Sequence, residues 1–210
     1  MYTKIQKQIV REVNIKVKAL FKVTPVPAHG YDHVARVVKN AIVIAKAVKA
    51  NIFLCELAAV LHDVGRTLEK KGSHAKNNST NTHHELSYKL CREWFRKDKI
   101  FSLLTKEEKI ILLYAVRYHY NNAADKYQEA IILRDADKLD ALGNIGVKRA
   151  KIFFKNDYLA LRSDFRFKYD MYNWLITNKA RQMANDQNLM RPINEYQVKL
   201  LKKEIKPVSL

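Results

Sequence analysis

Turn-forming residues are scarce in this chain, which has five glycines and four prolines in 210 residues. A chain with so few places to reverse sharply favours long helices over many short strands. The apolar spacing agrees. Over residues 3–21, Ile5, Ile9, Val13, Val17 and Leu20 share one helical face. Two prolines and a glycine between Thr24 and Gly30 then break the pattern. A second helix is predicted over 31–49, carrying Val34, Val37, Val38, Ile42 and Ala45. A third, over 53–63, is apolar almost all round from Phe53 to Leu61 and is expected to be central and buried. Residues 67–81 are polar and read as an exposed loop. Helices resume near 82–98, with Leu86, Leu90, Trp94 and Phe95 as the apolar stripe, and from the capping-box pattern Thr105-Lys-Glu-Glu108 to about residue 118. Others follow near 124–139 and 144–155. Residues 164–204 read as basic helices, with Asp164 as an N-cap and Pro192 as a break. The fold class expected is therefore all-α.

Hydrophobic residues make up 48% of the chain and charged residues 29%, which suits a folded domain rather than disorder. The length suits one well-cored domain. Its expected parts are an N-terminal helix (1–24) packed on the core, the core itself (25–155), and a helical, basic C-terminal extension of the same domain (156–210). Cys55 and Cys91 lie in apolar helical patterns and form no Cys-x-x-Cys pair, so a disulfide framework is not expected and a reducing cytosol is. Lys and Arg interrupt residues 4–18, unlike the core of a signal peptide, and no 18-residue apolar run occurs. Neither export nor a membrane span is expected, and a cytoplasmic location is. The formal charge of +18 draws in polyanions: nucleotides, nucleic acid or an anionic surface. A solvated Lys-rich face gives the same number, so charge supports a phosphate-bearing partner without selecting one.

The chemistry starts at His62-Asp63, which ends the apolar third helix and precedes Val64-Gly65-Arg66. A carboxylate beside an imidazole at the end of a buried helix is costly unless compensated, and a divalent metal compensates both. The chain supplies partners. His33 lies on the second helix, with His29 and Arg36 at i−4 and i+3. Downstream, Asp135, Asp137 and Asp140 sit inside an apolar helix, the last two three residues apart on similar faces. Imidazoles and carboxylates together suit Mn, Fe, Co, Ni or Zn, and Mg less comfortably.

His33 with Arg36-Val37, then His62-Asp63, then Asp137 resemble the ordered His…His-Asp…Asp signature of HD-domain phosphohydrolases. The stretches from His29 to Val37 and from Asp135 to Arg149 resemble the first and last metal-bearing helices of a small stand-alone bacterial subfamily. The likeness is close over about 25–150 and loose beyond. It implies a compact HD-type helical domain and a divalent metal held by His33, His62, Asp63 and Asp137, with one ion expected and a second open. It further implies hydrolysis of a phosphate ester or anhydride, with a nucleotide as the expected substrate. Asp63 would also take a hydrogen bond from the attacking water. Arg66, His84, His119 and Lys138 are the expected phosphate-neutralising or proton-donating groups. Asp135 and Asp140 are expected to orient ligand side chains, and for Asp140 a structural ion pair, with Arg149 as the candidate partner, is favoured over direct ligation. Arg36 is expected in an ion pair, and His29, His74 and His83 in loops without a catalytic role. Residues 165–174, rich in aromatics, are expected to pack, with a base-stacking surface as the alternative. Two other functions remain open: a nucleic-acid-binding or regulatory protein that uses its basic surface, and an HD-type oxygenase with two irons that needs further ligands such as His84 and His119.

Overall fold

The computed structural model describes residues 2–69, 82–155 and 157–204, and helix is the only regular structure among them. In order the elements are α1 (Lys4–Val23), α2 (Tyr31–Ala47), α3 (Ile52–Leu61), a 3-10 turn (Val64–Leu68), α4 (His83–Lys97), α5 (Lys99–Ser102), α6 (Lys106–Tyr118), α7 (Gln128–Asp140), α8 (Gly143–Phe154), α9 (Tyr158–Asn173), α10 (Asn178–Asp186) and α11 (Met190–Glu204). Most of the expected loop at 67–81, with His74, lies outside the described residues.

Helix α3 is apolar all round because it is enclosed all round. Eight of its ten residues are buried, and α1, α2, α6 and α7 pack about it. Each fully buried Leu, Val or Phe there stabilises the fold by about 1.5–3 kcal/mol. Asn51 caps its start by accepting from Leu54 N, and it ends at Leu61, one residue before the His-Asp pair. Helix α1 covers one side through Ile9, Val13, Val17 and Phe21. Ile5, expected on the same apolar face, is exposed.

The main apolar cluster joins α1 to α7 and takes in Ala180, Met183 and Ala184 of α10. A second, smaller cluster consists of Ala150, Leu161, Phe165, Ile193 and Leu200, from α8, α9 and α11. Gly143 turns the chain from α7 into α8 at φ +65°, a conformation that glycine adopts without the steric penalty of a side chain. Two expected punctuation marks move. Asp157, not Asp164, caps α9 by accepting from Ala160 N, and Asp164 lies two turns inside that helix. Pro192 sits in the first turn of α11, where its missing N–H is not needed; the break precedes it.

Candidate metal centre and its cleft

Three helices bring the signature residues to one point. His33 comes from the first turns of α2, His62 and Asp63 from the end of α3, and Asp137 from the last turns of α7. His33 Nε2 lies 3.2 Å from His62 Nε2, 3.5 Å from Asp63 Oδ2 and 3.4 Å from Asp137 Oδ1. His33, His62 and Asp63 are almost fully buried, whereas the Asp137 side chain is 32% exposed and faces the opening.

The ring orientations are set from outside. His33 Nδ1 pairs with Asp140 Oδ2 at 2.7 Å, and His62 Nδ1 donates to the Ala59 carbonyl at 2.7 Å. With those protons engaged, both Nε2 atoms turn lone pairs toward each other, an arrangement that calls for a cation between them. Burial holds His62 down to about 4, so it carries no second proton near neutrality. For His33 burial also acts downward, but hydrogen bonds to Asp140 and Asp63 outweigh it, and the net shift is upward. A proton on His33 or a metal can therefore occupy this point. Burial acts to raise Asp63, yet Arg66 and the surrounding imidazoles hold it well below the usual carboxylate range. Asp63 Oδ1 is buried with no hydrogen-bond partner, as expected of an oxygen reserved for an ion. The C-terminus of α3, with its negative dipole end, points here as well. The donor set thus fits a divalent metal.

Asp140 is the anchor behind His33. Its carboxylate takes Arg36 Nε at 2.5 Å and Arg149 Nη1 at 2.6 Å, which keeps it ionised despite burial. Arg36 also pairs with Asp32. Asp135 does something else. It accepts from Ile176 N, Thr177 N and Thr177 Oγ1, and so pins the start of α10 to α7 instead of orienting a ligand.

The opening is a cleft of about 240 Å³. Asp63, His83, His119 and Asp137 form its acidic and imidazole side, with Arg66, Arg134, Lys138 and Arg149 beside them and Phe167, Met171 and Trp174 at its edge. Arg66 Nε donates to Asp63 Oδ2 at 3.0 Å. Lys138 Nζ donates to Asn122 Oδ1 at 2.6 Å and to the Trp174 carbonyl; burial, then Arg134, pulls its pKa down to about 8. His119 is buried, with Nδ1 donating to the Val116 carbonyl.

The histidine pair at the start of α4 corrects the sequence reading. His83, expected in a loop, opens the helix with Nε2 3.7 Å from Asp63 Oδ1, and together with Asp63 and His119 it forms a second cluster of donor atoms within 4.8 Å of one another. His84, expected in the site, stacks on Tyr120 at 3.9 Å between ring centroids and bonds Thr82 Oγ1, so it does not line the cleft. Helical spacing carried the signal: His83 lies four and eight residues before the buried Ser87 and Cys91. The roles of Arg134 and His29 as walls of the cleft had no such signal. Cys55 and Cys91 are buried free thiols, and no helix among the described residues is long and apolar enough to cross a membrane.

Over residues 30–142 the chain matches the model of the HD domain family. Among solved structures it is similar to Bacillus subtilis YpgQ in complex with ADP, at 18% identity over 98% of this chain and 100% of that one, with a TM-score of 0.66. It is also similar to an HD-superfamily hydrolase from Bacillus thuringiensis (22% identity, 96% and 99% covered, TM-score 0.66). A predicted HD superfamily hydrolase from an uncultured Thermotogales bacterium gives 24% identity, 92% and 91% covered, and a TM-score of 0.62. At these identities the likeness is one of fold. No curated protein matches the chain. With more than half of its length matching the family, and with the His, His-Asp and Asp positions drawn together by α2, α3 and α7, the chain belongs to the HD-domain family.

Proposed function

We propose that this protein is a metal-dependent phosphohydrolase acting on a nucleotide, with its metal on His33, His62, Asp63 and Asp137. One observation carries the reading: two imidazole Nε2 atoms face each other at 3.2 Å beside two carboxylates, which line a cleft together with four basic side chains. The fold shared with YpgQ, a protein solved with ADP bound, supports the nucleotide.

A divalent cation held there supplies positive charge against the phosphate oxygens and acidifies water near neutral pH. The chain's own groups do the rest. Asp140 and the Ala59 carbonyl keep both imidazoles in the ligating tautomer. Asp63, held anionic by Arg66, accepts a hydrogen bond from the attacking water as its oxygen bonds to phosphorus. Arg66, Lys138 and Arg149 balance the charge of the phosphate chain. His83 or His119, kept neutral by burial, takes up the proton that the water releases and passes it to the oxygen that leaves when the P–O bond breaks.

The test pairs metal content with a phosphate-release panel. Protein purified without chelator is assayed for Mn, Fe, Co, Ni, Zn and Mg, then given nucleotides with each metal and with EDTA, with and without added pyrophosphatase. Bound metal and EDTA-sensitive turnover, both lost in His62→Ala, are expected. Metal-independent turnover, or a His62→Ala protein that keeps both properties, overturns the proposal. A second reading has one observation in its favour. The Asp63, His83 and His119 cluster offers a second ion a site that shares Asp63 with the first. Two irons per chain with oxygen consumption, and no phosphate release, would make the protein an oxygenase of this fold.

A further inference from the structure

Beside the cleft, α8 and α9 border a half-open chamber of about 160 Å³. Cleft and chamber share His29, Arg66, Ala141, Arg149 and Met171 in their walls. A cavity of roughly 150 Å³ is enough for one benzene-sized ring. The chamber is walled by Ala150, Phe153, Phe154 and Met171, with the two phenylalanine rings 4.9 Å apart at 84°. Arg66, Arg149, Asp164 and Lys168 supply a charged side to its lining, and His29 Nδ1 is buried there without a hydrogen-bond partner. Lys168 Nζ lies 3.2 Å from Asp164 Oδ2 as an ion pair and donates to the Ala141 carbonyl at 2.9 Å.

These features select a ligand. An alkyl chain would leave His29 Nδ1 unfilled, which is costly. A carboxylate only accepts, so a ligand group that meets Asp164 beside Lys168 must bring an N–H or O–H. The aromatic rings suit a planar heterocycle. The shared wall places that heterocycle next to the basic side chains of the cleft. We propose that this chamber holds the base of a nucleoside phosphate, with Asp164 and His29 meeting the polar edge of the base while its phosphates lie on the cleft. The inference rests on reading the cleft as a phosphate site. It assigns base recognition to α8 and α9, which lie beyond the residues that match the family.

Calorimetry on the full-length, metal-loaded chain tests this with two non-hydrolysable probes: α,β-methylene nucleoside diphosphates of the four common bases, and methylenediphosphonate, which has phosphates and no base. The wild-type chain is expected to bind at least one nucleotide analogue roughly tenfold more tightly than the diphosphonate, the scale of one base stacked on an aromatic ring. Ala150→Leu fills the chamber and Phe153→Ala removes a wall. Each is expected to erase that preference while diphosphonate affinity stays. Should Ala150→Leu fail to fold, Phe153→Ala, which only deletes atoms, decides alone. Equal affinity of the wild-type chain for both probes, or variants that weaken both alike, overturns the proposal. Hydrolysis assayed in parallel separates the two readings. A chamber that fails leaves EDTA-sensitive phosphate release standing, and a failed hydrolase reading leaves the preference for the base intact.

Discussion

At the scale of single residues, function depends on which way a side chain is made to face. His83 and His84 are neighbours with opposite surroundings, one against Asp63 and one on Tyr120. Turnover is therefore expected to fall by about 100-fold in His83→Ala, the loss typical of a proton-transferring group, and to stay near wild type in His84→Ala; steady-state kinetics on both variants check it. Asp140 meets no substrate, yet it anchors His33. Asp140→Asn should lower metal affinity by about 10–100-fold, as changes behind a ligating histidine do, with circular dichroism confirming the fold and metal titration reading the loss. His62 and Asp63 were legible in the sequence because a buried helix ending in His-Asp carries a charge into the core that little besides a cation compensates, whereas His33 and Asp137 were legible through the family resemblance. Asp135 was misread for a physical reason. A carboxylate in an apolar helix signals that something satisfies it, but a metal-ligand shell and the amides of another helix's first turn satisfy it equally well, and only tertiary structure says which.

At the scale of elements, the joints carry the precision. The 3-10 turn after Asp63 lies so close to α4 that a Cβ on Gly65 would collide with the backbone of Ser87 and His83. Gly65 N also donates to Ser87 Oγ at 2.8 Å. Gly65→Ala is expected to destabilise the chain by about 1–3 kcal/mol, as overpacking does, and to separate His83 from Asp63. Urea unfolding reads the first effect and a drop in turnover under native conditions reads the second. The helices themselves were legible to within a few residues, since three-and-four spacing marks a buried face and Thr105 with Glu108 forms the expected capping box. Helix ends in the C-terminal third were not. Asp157 and Asp164 are both plausible caps by composition, and packing of Leu161 and Phe165 into the second cluster decides where α9 begins.

For the molecule as a whole, charge acts at a distance. The formal +18 is spread over the chain, and four basic side chains line the cleft. Attraction of an anionic substrate is then screened as the Debye length shrinks from about 10 Å at 0.1 M salt to about 3 Å at 1 M. Over that range kcat/KM for a nucleotide should fall while kcat holds nearly constant; a kcat that falls in step would place the salt effect on the chemistry instead. The division into two apolar clusters has a different consequence, one for descent rather than for mechanism. The four signature side chains sit on helices of the large cluster, whereas the chamber beside them is walled mainly by α8 and α9, which rest on a cluster of five buried side chains. Mutations that reshape the chamber thus perturb the smaller core, and lineages can alter the chamber while the four signature positions are inherited unchanged.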